Sequence, residues 1–454
     1  MARELHRIYC TLNNAEAMKL RFTTALILIA AFALPTASHA ATLTLNNALQ
    51  RVRENSPRLR QARENLNAAE ARTEGSRSGW YPHLSAIADY SYRDPISEYQ
   101  GMKFMPANSY NARVGAEMTL LDFGRTAKGV SIARSSEKAA SLSLSLTERD
   151  LAYTTIQVFH TMLFLREAVL VQEKEIAALE KNLEYTRTRY REGVATRFDL
   201  LSTEVRLASA VTKKTDLESE LANQSIALSR LCGLPEDEPV GVEGSFASVE
   251  QGEEESSFVV SALEKRLELR LAGEHERTAI RKTELAERAC LPVIAGNLSW
   301  GTANGFLPDL EEMRPNTAAG VRMELPLFTG FASRSEKRAA LAMQRAAGAE
   351  RLDTDQQIRQ EVRQSLNSLR ASRQNIATTT LQVKQAELAA EHARTRYRNG
   401  LATALDLLDT EASLAEAELS NLQARYTLVM NTYALKRAAG EPLEPIQQPD
   451  QKTP

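Results

Sequence analysis

Hydrophobic positions along the chain follow two periods. Toward the C-terminus Leu408, Ala412, Ala415, Leu419, Leu422, Tyr426, Val429 and Tyr433 recur at alternating spacings of four and three, the stripe of a helix that faces another helix. Elsewhere the period is two. Leu84, Ala86, Ala88, Tyr90 and Tyr92 interleave with Ser85, Ile87, Asp89, Ser91 and Arg93. Tyr110, Ala112, Val114, Ala116, Met118 and Leu120 interleave with Asn111, Arg113, Gly115, Glu117 and Thr119. In the second half Ile294, Leu298 and Trp300 oppose Asn297 and Ser299, while Ala319, Val321, Met323 and Leu325 oppose Gly320, Arg322 and Glu324. The alternation predicts strands near 82–93, 110–121, 292–302 and 318–327. One face is apolar, with aromatics near the ends, as in a strand between lipid and a polar lumen. An ordinary half-buried soluble hairpin has the same alternation, and both readings stay open on the strands alone. Polar loops are expected from Asp94 to Ser109 and from Thr302 to Thr317.

Between Pro106 and Pro235 there is no proline, and none between Pro326 and Pro442; glycine is sparse in both stretches. This permits very long helices, interrupted mainly at Gly193 and Gly400. A helix from about Arg125 to Tyr190 would be roughly 100 Å long, and its return from Phe198 to Cys232 about half of that. Helices near Leu45 to Arg77, interrupted at Pro57, and Ser257 to Ala289 are the right length to complete the short returns. The expected protomer is a column of helices about 100 Å tall.

Each interruption carries the same motif. The first copy is Tyr190, Gly193, Thr196, Asp199, Leu200, Leu201, Thr203 and Glu204; the second is Tyr397, Gly400, Thr403, Asp406, Leu407, Leu408, Thr410 and Glu411. They lie about 207 residues apart, the mark of an internal duplication. Each is expected to be the tip of a helical hairpin. Gly193 and Gly400 can take the left-handed conformation that ends a helix, and Thr196 and Thr403 can cap the next. Asp199 and Asp406, three residues further on, complete a pattern close to a capping box, and for Asp199 a structural role is expected. Asp409 differs, because the first repeat has Ser202 there. Asp406 and Asp409 can share one helix face.

Composition narrows the function. A net charge of -2 with 25% charged residues shows no polybasic block, and no nucleic-acid partner is expected. Residues 1–40 read as a secretory signal peptide: Lys19 and Arg21, the apolar run Ala25 to Leu34, and Ser38-His39-Ala40 before the cleavage point, with Met18 the expected start. Cys10 precedes the apolar run, so no N-terminal lipid anchor is expected. Cys232 and Cys290 should lie tens of Å apart and unpaired. The acidic stretch 235–256 links a first repeat (41–234) to a second (257–440), and the proline-rich tail 441–454 reads as disordered. No catalytic constellation is present. His275-Glu276 begins like a zinc-protease helix, but Ala279 stands where the second histidine is needed. The expectation is no enzyme, no cofactor and no metal site.

In this order the motifs resemble the TolC-type outer-membrane efflux and secretion channel family, over nearly the whole mature chain. Leu120-Leu121-Asp122-Phe123-Gly124 and Leu325-Pro326-Leu327-Phe328-Thr329-Gly330 are similar to its strand-to-helix junctions, and the twin Tyr-x-x-Gly tips to its periplasmic end. The resemblance implies an α+β membrane protein: a long α-helical coiled-coil barrel continued by a transmembrane β-barrel, formed by a homotrimer with four strands per protomer and two tandem repeats. It implies a location in the outer membrane, among its lipid, reaching into the periplasm. The implied function is the passive exit duct of a tripartite efflux pump or a type I secretion system. Its partners would be a periplasmic adaptor and an inner-membrane pump or ATP-driven secretion transporter.

The resemblance also places Asp406 and Asp409 on an acidic constriction, with Tyr397 in a latch; Asp199 is grouped with them as the first repeat's counterpart of Asp406. Ala402 stands where the family has a latch arginine, for which Arg394, Arg396 or Arg398 would substitute. Adaptor contact is assigned to the turns at Gly193, Val194, Thr196, Gly400, Leu401 and Thr403. The competing reading is a non-conducting structural or adhesive coiled-coil protein of the cell envelope.

Overall fold

Described residues of the computed structural model are 42–99, 101–235, 240–246 and 255–444. The expected leader 1–40, much of the linker and tail residues 445–454 lie outside them. The first repeat runs β1 (Thr42–Leu43), α1 (Leu45–Asn55), α2 (Pro57–Ser76), β2 (His83–Tyr92), a small outer hairpin of β3 (Glu98–Tyr99) and β4 (Met102–Lys103), β5 (Asn108–Leu121), α3 (Arg125–Arg191) and α4 (Arg197–Cys232). After β6 (Gly241–Val242) the second repeat runs α5 (Glu255–Lys265), α6 (Leu267–Glu287), β7 (Val293–Ala303), β8 (Arg314–Glu324), α7 (Ala332–Arg398) and α8 (Ala404–Ala439). Helices α3 and α7 both have 67 residues, and their returns α4 and α8 both have 36. Duplication is thus preserved in length even where composition has diverged.

The strands form one antiparallel sheet in the order β2-β5-β7-β8. Its register places Tyr90 beside Tyr110, Val114 beside Trp300 and Leu298 beside Ala319, all on one face. Asp89, hydrogen-bonded at 3.0 Å by the Asn111 side chain, lies on the other with Arg113. Exposed Leu84, Tyr90, Trp300 and Val321 show that, among the described residues, nothing of its own chain covers the apolar face. Strand β8 starts at Arg314 and ends at Glu324, where the alternation predicts 318–327. Pro315 hid the beginning. It pairs with Thr302 on a strand at the edge of the sheet, where a missing N–H is tolerated.

Two other expectations, the unbroken helix from Ser257 to Ala289 and the disordered tail from residue 441, are corrected, and the linker gains detail. The helix expected from Ser257 to Ala289 is two helices, broken at Arg266, whose ψ of 124° is extended. No proline or glycine causes this. The buried Arg266 guanidinium donates to the Ala438 carbonyl at 3.2 Å and to Glu361 at 2.8 Å, so its tertiary partners hold the break. In the first repeat the equivalent break is at Ser56, before Pro57. The linker contributes structure: β6 pairs in parallel with β1, Val240 and Val242 join a core with Leu43, Leu163 and Cys232, and helix resumes at Glu255. The tail begins packed, since Leu443 is buried beside Ile156, Val429 and Tyr433. Cys232 is buried and Cys290 exposed, and they are unpaired.

Below the sheet the upper helices stand side by side. Helix α2 packs on α3, α3 on α6 and α6 on α7, which leaves the outer flanks of α2 and α7 open. At the level of the breaks Arg149 of α3 forks onto Glu268 of α6 at 2.6 and 3.0 Å, and Arg266 approaches the same carboxylate at 2.9 Å. Burial opposes charge on Glu268, but the Arg149 hydrogen bonds and the Arg266 charge outweigh it and hold the carboxyl at about 2. The stabilisation is complete above the ordinary value of 4.5 and is lost as pH falls from there toward 2. Glu268→Gln is therefore expected to lower the melting temperature at pH 7, and to shrink the acid-induced drop between pH 4.5 and 2.5. Parallel melting curves for variant and wild type across that range would refute this.

Candidate functional site at the helical tips

At the far end of each column the chain reverses in five residues. Gly193 and Gly400 have φ of 75° and 73°, a region closed to residues with a Cβ without strain. Behind them the amides of Val194 and Leu401 each donate at 2.8 Å to the carbonyls of Arg189 and Arg396, and the glycine amides donate to Tyr190 and Tyr397 at 3.1 Å. This double closure satisfies the last carbonyls of α3 and α7. Each return helix then opens with a complete capping box. The Asp199 amide donates to the Thr196 hydroxyl at 3.1 Å and the Thr196 amide to Asp199 at 2.9 Å; Asp406 and Thr403 repeat both distances. The Thr403 amide, then its hydroxyl, holds the Asp406 carboxyl below its ordinary value. Val194 and Leu401 project into solvent.

The two tips share this turn and differ in what surrounds their tyrosines. Tyr190 is exposed, whereas Tyr397 is only 5% exposed. Tyr397 is seated on the first hairpin. Its hydroxyl lies 3.2 Å from that of Thr186, its ring meets Tyr185 edge-on at 5.5 Å, and the Arg189 guanidinium lies 5.3 Å from its centroid. Arg189 also donates to the Tyr397 carbonyl at 3.3 Å. Asp409 reaches the same hairpin and accepts from Arg206 at 2.6 Å. Both Asp406 and Asp409 are solvent-exposed.

The arginines expected to replace the missing one at Ala402 are engaged elsewhere. Arg394 forks onto Glu411 at 2.5 and 2.6 Å, as Arg187 pairs with Glu204 in the first repeat, so this is a brace of every hairpin. Arg396 donates to the Leu401 carbonyl at 3.1 Å, within its own turn. Arg398 contributes a carbonyl, 3.5 Å from the Tyr185 hydroxyl. The cations that meet Tyr397 and Asp409 are Arg189 and Arg206, both from the first repeat. Sequence distance concealed them. Their one signal was that an arginine three residues before Gly193's helix cap and another on the return lie near the first copy of a motif whose second copy needed them.

A model of the outer membrane efflux protein family matches residues 48–234 and 259–441, both repeats and nearly everything between the leader and the tail. The chain belongs to the outer membrane efflux protein family. It is 22% identical over 412 residues to the outer membrane efflux protein BepC of Brucella suis, covering 89% of this chain and 87% of that one. Over 407 residues it is 21% identical to the outer membrane protein TolC of Escherichia coli, covering 86% and 81%. Its fold matches that of the outer membrane protein VceC of Vibrio cholerae with a TM-score of 0.78 at 22% identity, over 88% of this chain and 97% of that one. For the outer membrane channel MtrE of Neisseria gonorrhoeae, in its open state, the TM-score is 0.74 at 22% identity, over 90% and 94%.

As an outer membrane efflux protein of TolC type, the chain has its sheet in the outer membrane and its helices in the periplasm. The family is one of channels, not of enzymes. No helix among the described residues is long and apolar enough to cross a membrane. The sheet of β2, β5, β7 and β8 carries one apolar face.

Proposed function

We propose that three copies of this chain close into one twelve-stranded barrel continued by a helical tunnel, the passive exit duct of a tripartite efflux pump or a type I secretion system. The observation that carries this is a four-stranded sheet that is open at both edges and apolar on one face. Unpaired strand edges are excluded from hydrocarbon, and a homotrimer pairs every one of them. Its partners would be a periplasmic adaptor, received at the exposed turns around Val194 and Leu401, and an inner-membrane pump or ATP-driven secretion transporter that supplies energy and selects cargo. The polar face bearing Asp89, Asn111 and Arg113 lines a wet lumen, which favours a duct over an adhesive rod. Purified protein in planar bilayers should show discrete conductance steps; a protein that inserts and never conducts would restore the adhesive reading.

The gate lies at the second tip in this reading. Tyr397 and Asp409 of the second hairpin are held by Arg189 and Arg206 of the first, so the two hairpins of a protomer cannot splay without breaking both contacts. In a trimer Asp406 would form a ring of three carboxylates that attracts cations, and Asp409 would add a second ring once its contact with Arg206 opens. Asp406→Asn/Asp409→Asn is expected to lower the cation-to-anion permeability ratio severalfold. Asp199→Asn should leave it unchanged, because that carboxylate is half-buried at its own cap, whereas Asp406 makes the same cap and stays exposed. Unaltered ion preference in the double variant would reject the acidic ring.

A further inference from the structure

We infer that neighbouring copies join through the open flank of α7 on one and of α2 on the next, bridged by an ion pair between Arg345 and Glu64. The inference rests on the trimer proposed above and deepens it. Its template is inside the chain. Aligning Arg125 with Ala332 carries α3 onto α7 residue for residue, because the helices are of equal length. Aligning Leu267 with Pro57, the residues after the two helix breaks, carries α6 onto α2 and brings Pro292 onto Pro82. The contact of α3 with α6 inside one copy therefore stands for the contact of α7 with the next copy's α2.

Translated residue by residue, the internal interface predicts a complementary external one. Inside the chain Lys138 of α3 pairs at 2.8 Å with Glu274 of α6, whose side chain is 5% exposed. Glu274 is also held from within its own helix by Arg277 at 2.6 Å. The counterparts are Arg345, Glu64 and Asn67. Glu64 already accepts from Asn67 at 3.2 Å, so the inner half of the arrangement is reproduced, and the partner that remains to arrive is a cation. Arg345 is that cation. It is exposed, and among the described residues its guanidinium reaches only the Leu341 carbonyl of its own helix at 3.4 Å.

A second position changes on both sides together. Arg281 of α6 hydrogen-bonds Ser135 of α3, and the counterparts are Ala71 and Ala342, a polar pair exchanged for an apolar one. Two further ties are not kept as they stand. Arg149 with Glu268 becomes Gln356 with Arg58, and Arg125, which clamps three carbonyls after α6, becomes Ala332. Arg345 and Glu64 thus hold a boundary that has fewer polar ties than the internal one.

The test is a charge swap in the full-length protein, extracted from membranes in mild detergent and followed by the temperature at which trimers dissociate. Arg345→Glu and Glu64→Arg should each lower that temperature by several degrees, and the double variant should recover most of the loss. Single variants that match wild type, or a double variant no better than the worse single, would overturn the pair. Wild type running as a monomer would instead overturn the trimer. A second measurement does not depend on stability: Glu64→Cys/Arg345→Cys with Cys290→Ser, treated with a short bis-maleimide, should give covalent dimers and trimers. Monomer alone, from a preparation in which untreated protein is trimeric, would sink the proposed register.

Discussion

Replacing Tyr397 with alanine is expected to raise the conductance of the resting channel severalfold, the largest functional change of any single substitution at the tips. The side chain is almost fully buried and joins three partners of the first hairpin at once, Tyr185, Thr186 and Arg189. Truncating a buried aromatic costs about 3–5 kcal/mol, and an aromatic pair adds about 0.5–1.5 kcal/mol to that. The tip is the exposed end of a long lever, so the cost is not met by collapse of a surrounding core. It would appear as separation of the two hairpins. Tyr397→Phe keeps the ring contacts and loses only the hydroxyl, so it should stay near wild type, with Arg189→Gln between the two. Single-channel recording orders the three variants. A conductance for Tyr397→Ala equal to wild type would mean that the tyrosine anchors the fold without restraining the aperture.

The second large effect is on assembly. Gly301 of β7 lies opposite Arg113 of β5, and a Cβ there would stand 2.3 Å from the Ala112 carbonyl oxygen and 2.6 Å from the Arg113 Cα. Backbone atoms cannot swing aside as a long side chain can, so the two central strands would have to part. Gly301→Ala is expected to abolish heat-resistant oligomers in the outer-membrane fraction. Gly115 provides the control on the same sheet, since the nearest atom to its Cβ would be 3.8 Å away. Gly115→Ala should assemble normally. Equal assembly of both variants would show that β5 and β7 accommodate the added carbon.

What was legible in the sequence follows from what is local. Helix length could be read from absent prolines, and the tips from glycine, threonine and aspartate at fixed spacing, because caps and left-handed turns are decided within a few residues. The capping role of Asp199 was readable on the same ground; its complement at Asp406 is the same box, with an exposed carboxylate left to face its neighbours. The break at Arg266 was not readable, since its cause is a guanidinium reaching α7 and α8, far away in sequence. The cations at Tyr397 and Asp409 come from the first hairpin, beyond the reach of the spacing that points to Arg394, Arg396 or Arg398 for the position at Ala402. Pro315 misled in the opposite sense: a local rule against strand was overridden by its place at the sheet's edge.

The equal lengths of the paired helices also restrict how this chain can evolve. Inserting one residue in α3 or α7 would lower that tip by about 1.5 Å and turn it through about 100°, moving Tyr397 away from Arg189 or Arg206 away from Asp409. Substitutions have accumulated freely between the two halves, yet both count 67 residues down and 36 back. In a closed ring of six hairpins, all tips would then end at one height and present a level rim. Gaps should therefore be rare in the long helices of related chains and should occur in both repeats together where they are found, while the outer loops can vary in length.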